Sequence, residues 1–236
     1  MNKYVHIVLI TFYFTTILAT LVVLIGLGQS FYRLPIEERF FDSMYAQLKP
    51  SGFLGHGYGI VGTLFIVIGL FSYMIRKHFK LFWGWGGLKY WLEAHIFLCT
   101  LGTLLVVFHT SFKFGGIVSV GFWSLIIVWF SGLIGRFIYI QIPRTIEGRT
   151  LTLQEITELI DNLEAELNEQ TKLEDSKIRS LSRRKRKLQR QVKGLEQMKR
   201  IFNRWHYAHL PFALIMLIIM VIHVTVVLYL GYKWIL

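Results

Sequence analysis

Over most of this chain the apolar positions neither alternate nor keep to one helical face; they run on without interruption. Five such runs, at residues 5–28, 56–75, 90–112, 117–140 and 207–230, reach the roughly 20 residues that a helix needs to cross a hydrocarbon core of about 30 Å. A helix pairs all of its own backbone groups, so it is the form such runs take in lipid. The pattern predicts an all-α fold: a polytopic membrane bundle of five transmembrane helices. The first run is too long for the core of a signal peptide, has one basic residue before it (Lys3) and lacks a small-x-small cleavage site. It is expected to stay as an anchor.

Only between the fourth and fifth runs does a periodic pattern appear. Pro143 and Gly148 stop the fourth helix, and Thr152-Leu-Gln-Glu155 has the form of a capping box that starts another. Ile156, Leu159, Ile160, Leu163 and Leu167 then mark one face of an acidic helix, while Leu181, Leu188, Leu195 and Phe202 recur every seven residues on a basic one. The polar stretch 171–177 is the expected turn, and the prediction is an antiparallel coiled-coil hairpin. The domain layout is thus helices 1–4 in residues 1–142, the hairpin in 143–203 and the fifth span in 204–236.

Composition agrees. With 54% hydrophobic and only 17% charged residues the chain is too apolar for a water-soluble fold. The net charge of +12 is unevenly spread: residues 176–204 hold 12 bases and 1 acid, residues 152–175 hold 8 acids and 1 base. Arg76, Lys77, Lys80 and Lys89 between the second and third spans, and the basic segment between the fourth and fifth, place both loops in the cytoplasm. The N-terminus is then inside and the C-terminus outside, in what is expected to be a bacterial inner membrane. The tract Arg183-Arg-Lys-Arg-Lys187 reads as a solvated face near anionic lipid; it lacks a nucleic-acid recognition module, and nucleic acid is not expected as a partner. One cysteine, Cys99, excludes an internal disulfide, a Cys-rich zinc site and a self-contained iron–sulfur cluster.

Ionisable side chains within a bilayer are costly and mark function. Four histidines repeat a spacing: His95 and His109 on the third span are fourteen residues apart, and so are His209 and His223 on the fifth. Fourteen residues fall about 40° short of four whole turns, so each pair shares a face, about 21 Å apart along the axis. The two spans run in the same direction. Equal depth therefore matches His95 with His209 and His109 with His223, and two opposed neutral imidazoles are what a six-coordinate haem iron needs. Two b-type haems, one near each membrane face, are the expected cofactors. Zinc or copper would want its ligands clustered. Gly102, midway between His95 and His109, is expected to face the space between the haems and let their edges approach.

Other residues are assigned around these four. His206 rivals His209, but its spacing of seventeen has no counterpart on the third span; Pro211 suits a position near a helix start and puts His209 in the first turn. Arg136, Arg204 and Lys89 are candidate partners for the propionates of the inner haem, with Gly132 and Gly135 letting the chain near Arg136 approach it. His56 opens the second span; a helix-start histidine bonded to its loop is preferred over a protonatable group in a quinol pocket. Gly55, Gly59, Gly62 and Gly69 form a stripe read as close helix packing.

The paired histidines on the third and fifth spans resemble the transmembrane domain of the ferric-reductase and NADPH-oxidase type, and their spacing is similar to that of the cytochrome b subunit of quinol-oxidising respiratory complexes. The likeness covers about residues 50–142 and 204–230. It implies a four-helix core with two stacked haems passing single electrons through the membrane. Those reductases continue into a flavin and nicotinamide domain, whereas no GxGxxG-type fingerprint follows a soluble strand here. The chain is accordingly expected to be an electron-transfer subunit rather than a self-contained enzyme. Its expected partners are membrane lipid, a quinone or quinol, and separate redox proteins docking on the 150–200 hairpin. A proton-coupled transporter or channel with titrating histidines is the alternative, and a scaffold whose coiled coil is the working part is a third reading.

Overall fold

The computed structural model describes residues 3–79, 84, 87–141, 158, 160–165 and 175–231. These are helical almost throughout, with no strand among the described residues. Helix α1 covers Lys3–Arg33, a 3₁₀ turn Arg39–Phe41, α2 Tyr45–Leu48, α3 Phe53–His78, α4 Leu88–His109, α5 Gly116–Gln141 and α6 Asp175–Val226, which runs on into a π-turn at Val227–Gly231. Among the described residues five helices are long and apolar enough to cross a membrane, and each overlaps one of the expected runs, with ends shifted by a few residues. Their apolar side chains are exposed on a scale that water would penalise, with Val8 at 68% and Ile117 at 80% exposed.

The chain forms two compact units, Met1–Phe130 with Phe212–Leu236, and Ser131–Pro211. The second unit is wider than the 143–203 insertion expected from sequence. In the first unit α3 and α4 make the main contact, and glycines allow it. A Cβ on Gly62 would stand 2.9 Å from the Gly102 carbonyl, one on Gly102 would stand 2.7 Å from Ile66 Cγ1, and one on Gly69 would lie 3.0 Å from Leu98 Cβ. The packing reading of the α3 stripe therefore stands. The gap left by Gly102, expected to serve a cofactor, is filled instead by α3.

At the end of α4 a buried arginine fixes the chain. Arg39 donates to the carbonyls of Leu34 (3.0 Å), Tyr32 (3.1 Å) and Ser111 (2.5 Å), and its guanidinium lies over the Phe31 ring. Ser111 and Phe112 hold positive φ angles of 48° and 58°, a conformation costing about 1 kcal/mol or more in a non-glycine residue. The Arg39 bond and the 2.6 Å bond from Ser111 Oγ to the Leu48 carbonyl hold that turn and set where α4 stops, at His109. Near the other end of α4, Tyr13 stacks on Phe97 at 4.2 Å, and buried Glu93 lies 3.5 Å from His6 Nδ1 and 3.9 Å from Lys89 Nζ.

In the second unit Leu163 and Leu188 form a small core with Ile160, Leu181 and Val192 around it, and Lys185 Nζ meets Glu164 Oε1 at 2.6 Å. Two of the expected heptad positions thus face the acidic segment. The capping box at 152–155, Pro143, Gly148, Ile156, Leu159, Leu167 and most of the expected turn lie outside the described residues. Pro211 lies inside α6 rather than near a helix start, so His209 is not in a first turn. The helix continues through a position where proline removes one intrahelical hydrogen bond.

Candidate functional site

The histidines of α4 are positioned by carbonyls of α3. Nδ1 of His109 lies 2.7 Å from the Gly55 carbonyl and Nδ1 of His95 lies 2.9 Å from the Gly69 carbonyl. A carbonyl only accepts, so in both rings Nδ1 carries a proton, and the neutral imidazole then keeps its lone pair on Nε2. Gly55 and Gly69 are themselves fourteen residues apart, which matches the spacing of the histidines they anchor. That repeat was present in the sequence. Its meaning was not, because backbone acceptors in mid-helix normally bond the residue four further on. Cys99 Sγ also lies 3.6 Å from His95 Nδ1, and the Tyr73 ring is 5.5 Å from the His95 ring.

His223, on the part of α6 belonging to the first unit, faces His109 with ring centroids 6.4 Å apart and planes inclined by 58°. Imidazoles bound on opposite sides of one metal, each about 2 Å away through a nitrogen, have centroids about 6 Å apart. The two rings border a cavity of about 590 Å³, walled by Ile66, Phe122, Met216 and further apolar side chains. This falls within the roughly 300–1,000 Å³ usual for ligand pockets. His56 borders the same cavity, its ring centroid 6.4 Å from that of His109. Sequence reasoning had preferred a loop-bonded role for His56; the structure puts it at the cavity wall.

His209 belongs to the second unit and His95 to the first. Within its own unit His209 is half-buried, its Nδ1 hydrogen-bonded to the Ser131 hydroxyl and its ring 5.0 Å from the Trp205 ring. Trp205 Nε1 in turn donates to the Ser131 carbonyl at 2.7 Å. His206 is exposed. In three of the four expected ligands, then, Nδ1 is engaged by the protein, and in His95 and His109 the partner is a carbonyl, the arrangement by which partners in the outer shell orient metal-binding imidazoles. Neither Ser131 nor Trp205 was singled out from sequence, since nothing local distinguishes them from other small or aromatic residues of a span.

Lys89 lies 3.3 Å from His6 Nε2 and next to Glu93, which gives this cation local partners. Arg204 is exposed and Arg136 half-buried. Gly135 makes room for the Trp205 ring, so the clearance expected there for a cofactor is occupied by protein. Among the described residues no three His, Cys, Asp or Glu side chains are grouped to hold a metal ion, and a centre with two protein ligands needs no such group. No protein family, curated protein or solved structure matches this chain.

Proposed function

We propose that this chain is a membrane-embedded di-haem b-type cytochrome that relays electrons across the bilayer between a quinone or quinol pool and separate redox proteins. The observation that carries the reading is the state of the imidazoles. His95, His109 and His209 each have Nδ1 tied to protein, and His109 and His223, their ring centroids 6.4 Å apart, both border one apolar cavity. Apolar walls suit a porphyrin, and two neutral imidazoles suit its iron. Bound haem supplies reversible one-electron transfer.

The residues would share the work as follows. His109 and His223 hold one haem and His95 and His209 the other. The Gly55 and Gly69 carbonyls keep the His109 and His95 rings from rotating and raise the basicity of Nε2. The Ser131 hydroxyl and the Trp205 ring position the His209 imidazole. Arg136 and Arg204 remain the candidate cations for the second site. Residues 143–203 form a cytoplasmic coiled-coil hairpin, a reading supported by the Leu163–Leu188 contact and the Lys185–Glu164 pair. The loop charges place the N-terminus inside and the His109–His223 site toward the outer face of a bacterial inner membrane. One observation favours a second reading, a proton-coupled transporter: His56 adds a third imidazole beside His109 and His223.

The purified chain, reduced with dithionite, is expected to show a b-type α-band and two haems per polypeptide. His223→Ala is expected to lose one haem and keep the other. A haem-free wild-type protein would overturn the relay and leave the transporter; an H223A protein with both haems intact would overturn the pairing.

A further inference from the structure

The outward face of the basic helix carries charge that no ion pair among the described residues uses. Around α6, Leu188 points at the 160–165 segment. At about 100° per residue, Arg183, Arg186 and Arg190 lie roughly 140–160° away from it, on the opposite side, and Lys187 lies about 100° away, on the flank of that face. All four are exposed, they alone line one shallow depression, and among the described residues none takes part in an ion pair. The acidic segment answers a different cation: Glu164 pairs with Lys185, on the flank between the two faces. Spaced at i, i+3, i+4 and i+7, the four repel one another along the helix, so the arrangement is unfavourable until something negative covers it.

We infer that this face docks the acidic surface of a partner protein, whose carboxylates are spaced along the about 10 Å that the seven-residue span covers. Three of the four cations are arginines, and the planar guanidinium fork matches a carboxylate through two parallel hydrogen bonds. A lipid surface fits less well. A helix lying in a membrane interface buries its apolar face beneath its cations, and here the apolar face of Leu181, Leu188 and Val192 is covered by Ile160 and Leu163. Opposite charge on the two surfaces speeds encounter and fixes orientation, which suits a partner that must dock, exchange and leave. Naming that partner a redox protein rests on the proposed relay; the docking face does not.

The test uses the full chain in phosphatidylcholine nanodiscs with fluorescently labelled poly-glutamate as the acidic probe. Binding is expected to weaken steeply with added salt. R183E/R186E/R190E is expected to bind more than about tenfold more weakly, because it reverses charge where the probe sits. K49E/K77E/R200E, which reverses as many charges elsewhere, is expected to stay within about threefold of the parent. Circular dichroism of the variants confirms that the helices persist. Equal losses in the two triple variants would overturn the inference. So would poly-glutamate binding untouched in R183E/R186E/R190E while binding to phosphatidylglycerol vesicles is lost, an outcome that assigns the face to lipid. The assay reads no haem, so a haem-free chain that binds poly-glutamate at this face sinks the relay and keeps the docking site.

Discussion

Gly59 offers a direct test of how the α4 histidines are held. A Cβ built there stands 2.8 Å from His109 Nδ1, 2.9 Å from Cε1 and 3.0 Å from Cγ, whereas non-bonded heavy atoms rest about 3.5–4.0 Å apart. Gly59→Ala must therefore push the imidazole by about 0.5 Å or more, against a tolerance of about 0.2 Å for metal–ligand distances. It also pulls Nδ1 off the Gly55 carbonyl. The stability cost is small: the lost hydrogen bond is worth about 1 kcal/mol, and replacing a mid-helix glycine by alanine returns about as much. The expected result is a protein with nearly unchanged melting temperature in detergent and a haem affinity at the His109–His223 site about 10–100-fold lower. Haem per polypeptide would be measured by titration into the apoprotein. Gly57→Ala is the control, since a Cβ there meets nothing within 4 Å. Two haems bound by G59A as tightly as by the parent would refute the reasoning that His109 is held in position as a ligand.

Three further outcomes follow from contacts already described. Ser131→Ala removes the hydroxyl from His209 Nδ1 and is expected to weaken the other haem site about 10–100-fold while sparing the His109 site; a redox titration that resolves the two centres reports which one changed. Arg39→Ala strips the charged donor from three carbonyls at a 5% exposed position and is expected to cost about 3 kcal/mol or more, seen as a lower melting temperature. Arg39→Lys should recover little of it, because one ammonium does not reproduce the guanidinium fork. Leu188→Ala opens a cavity at a residue 1% exposed and is expected to cost about 2–5 kcal/mol locally. Amide exchange should speed up in 160–165 and 181–192 with haem content unchanged, and unchanged exchange there would contradict the packing of Leu163 on Leu188.

Much of the architecture was legible because it depends on local properties of the chain. An apolar run of sufficient length becomes a helix whatever its neighbours do, and the five runs recur inside α1, α3, α4, α5 and α6 with ends shifted by a few residues. The end of the fifth run's helix toward the hairpin was misjudged for the opposite reason. Pro211 reads as a boundary when the lost hydrogen bond is weighed alone, yet α6 carries 36 residues ahead of it that continue the helix regardless. Gly102 and Gly135 were misread in a similar way. A missing side chain signals that something comes close, and only packing says what: here Gly62 with Ile66, and Trp205.

By itself the sequence determined that the chain is a set of long apolar helices, that one segment carries most of the positive charge, and that four histidines repeat at matched intervals; each is a property of composition or spacing along one axis. The tertiary structure decided how α3 and α4 are rotated against each other, and with it that Nδ1 of His95 and His109 is tied to carbonyls of α3, that His223 and His56 both border the cavity beside His109, and that Ser131 holds His209. Those facts depend on the angle at which one helix meets the next. A single helix carries no record of that angle, because it is set by side chains and carbonyls belonging to its neighbours.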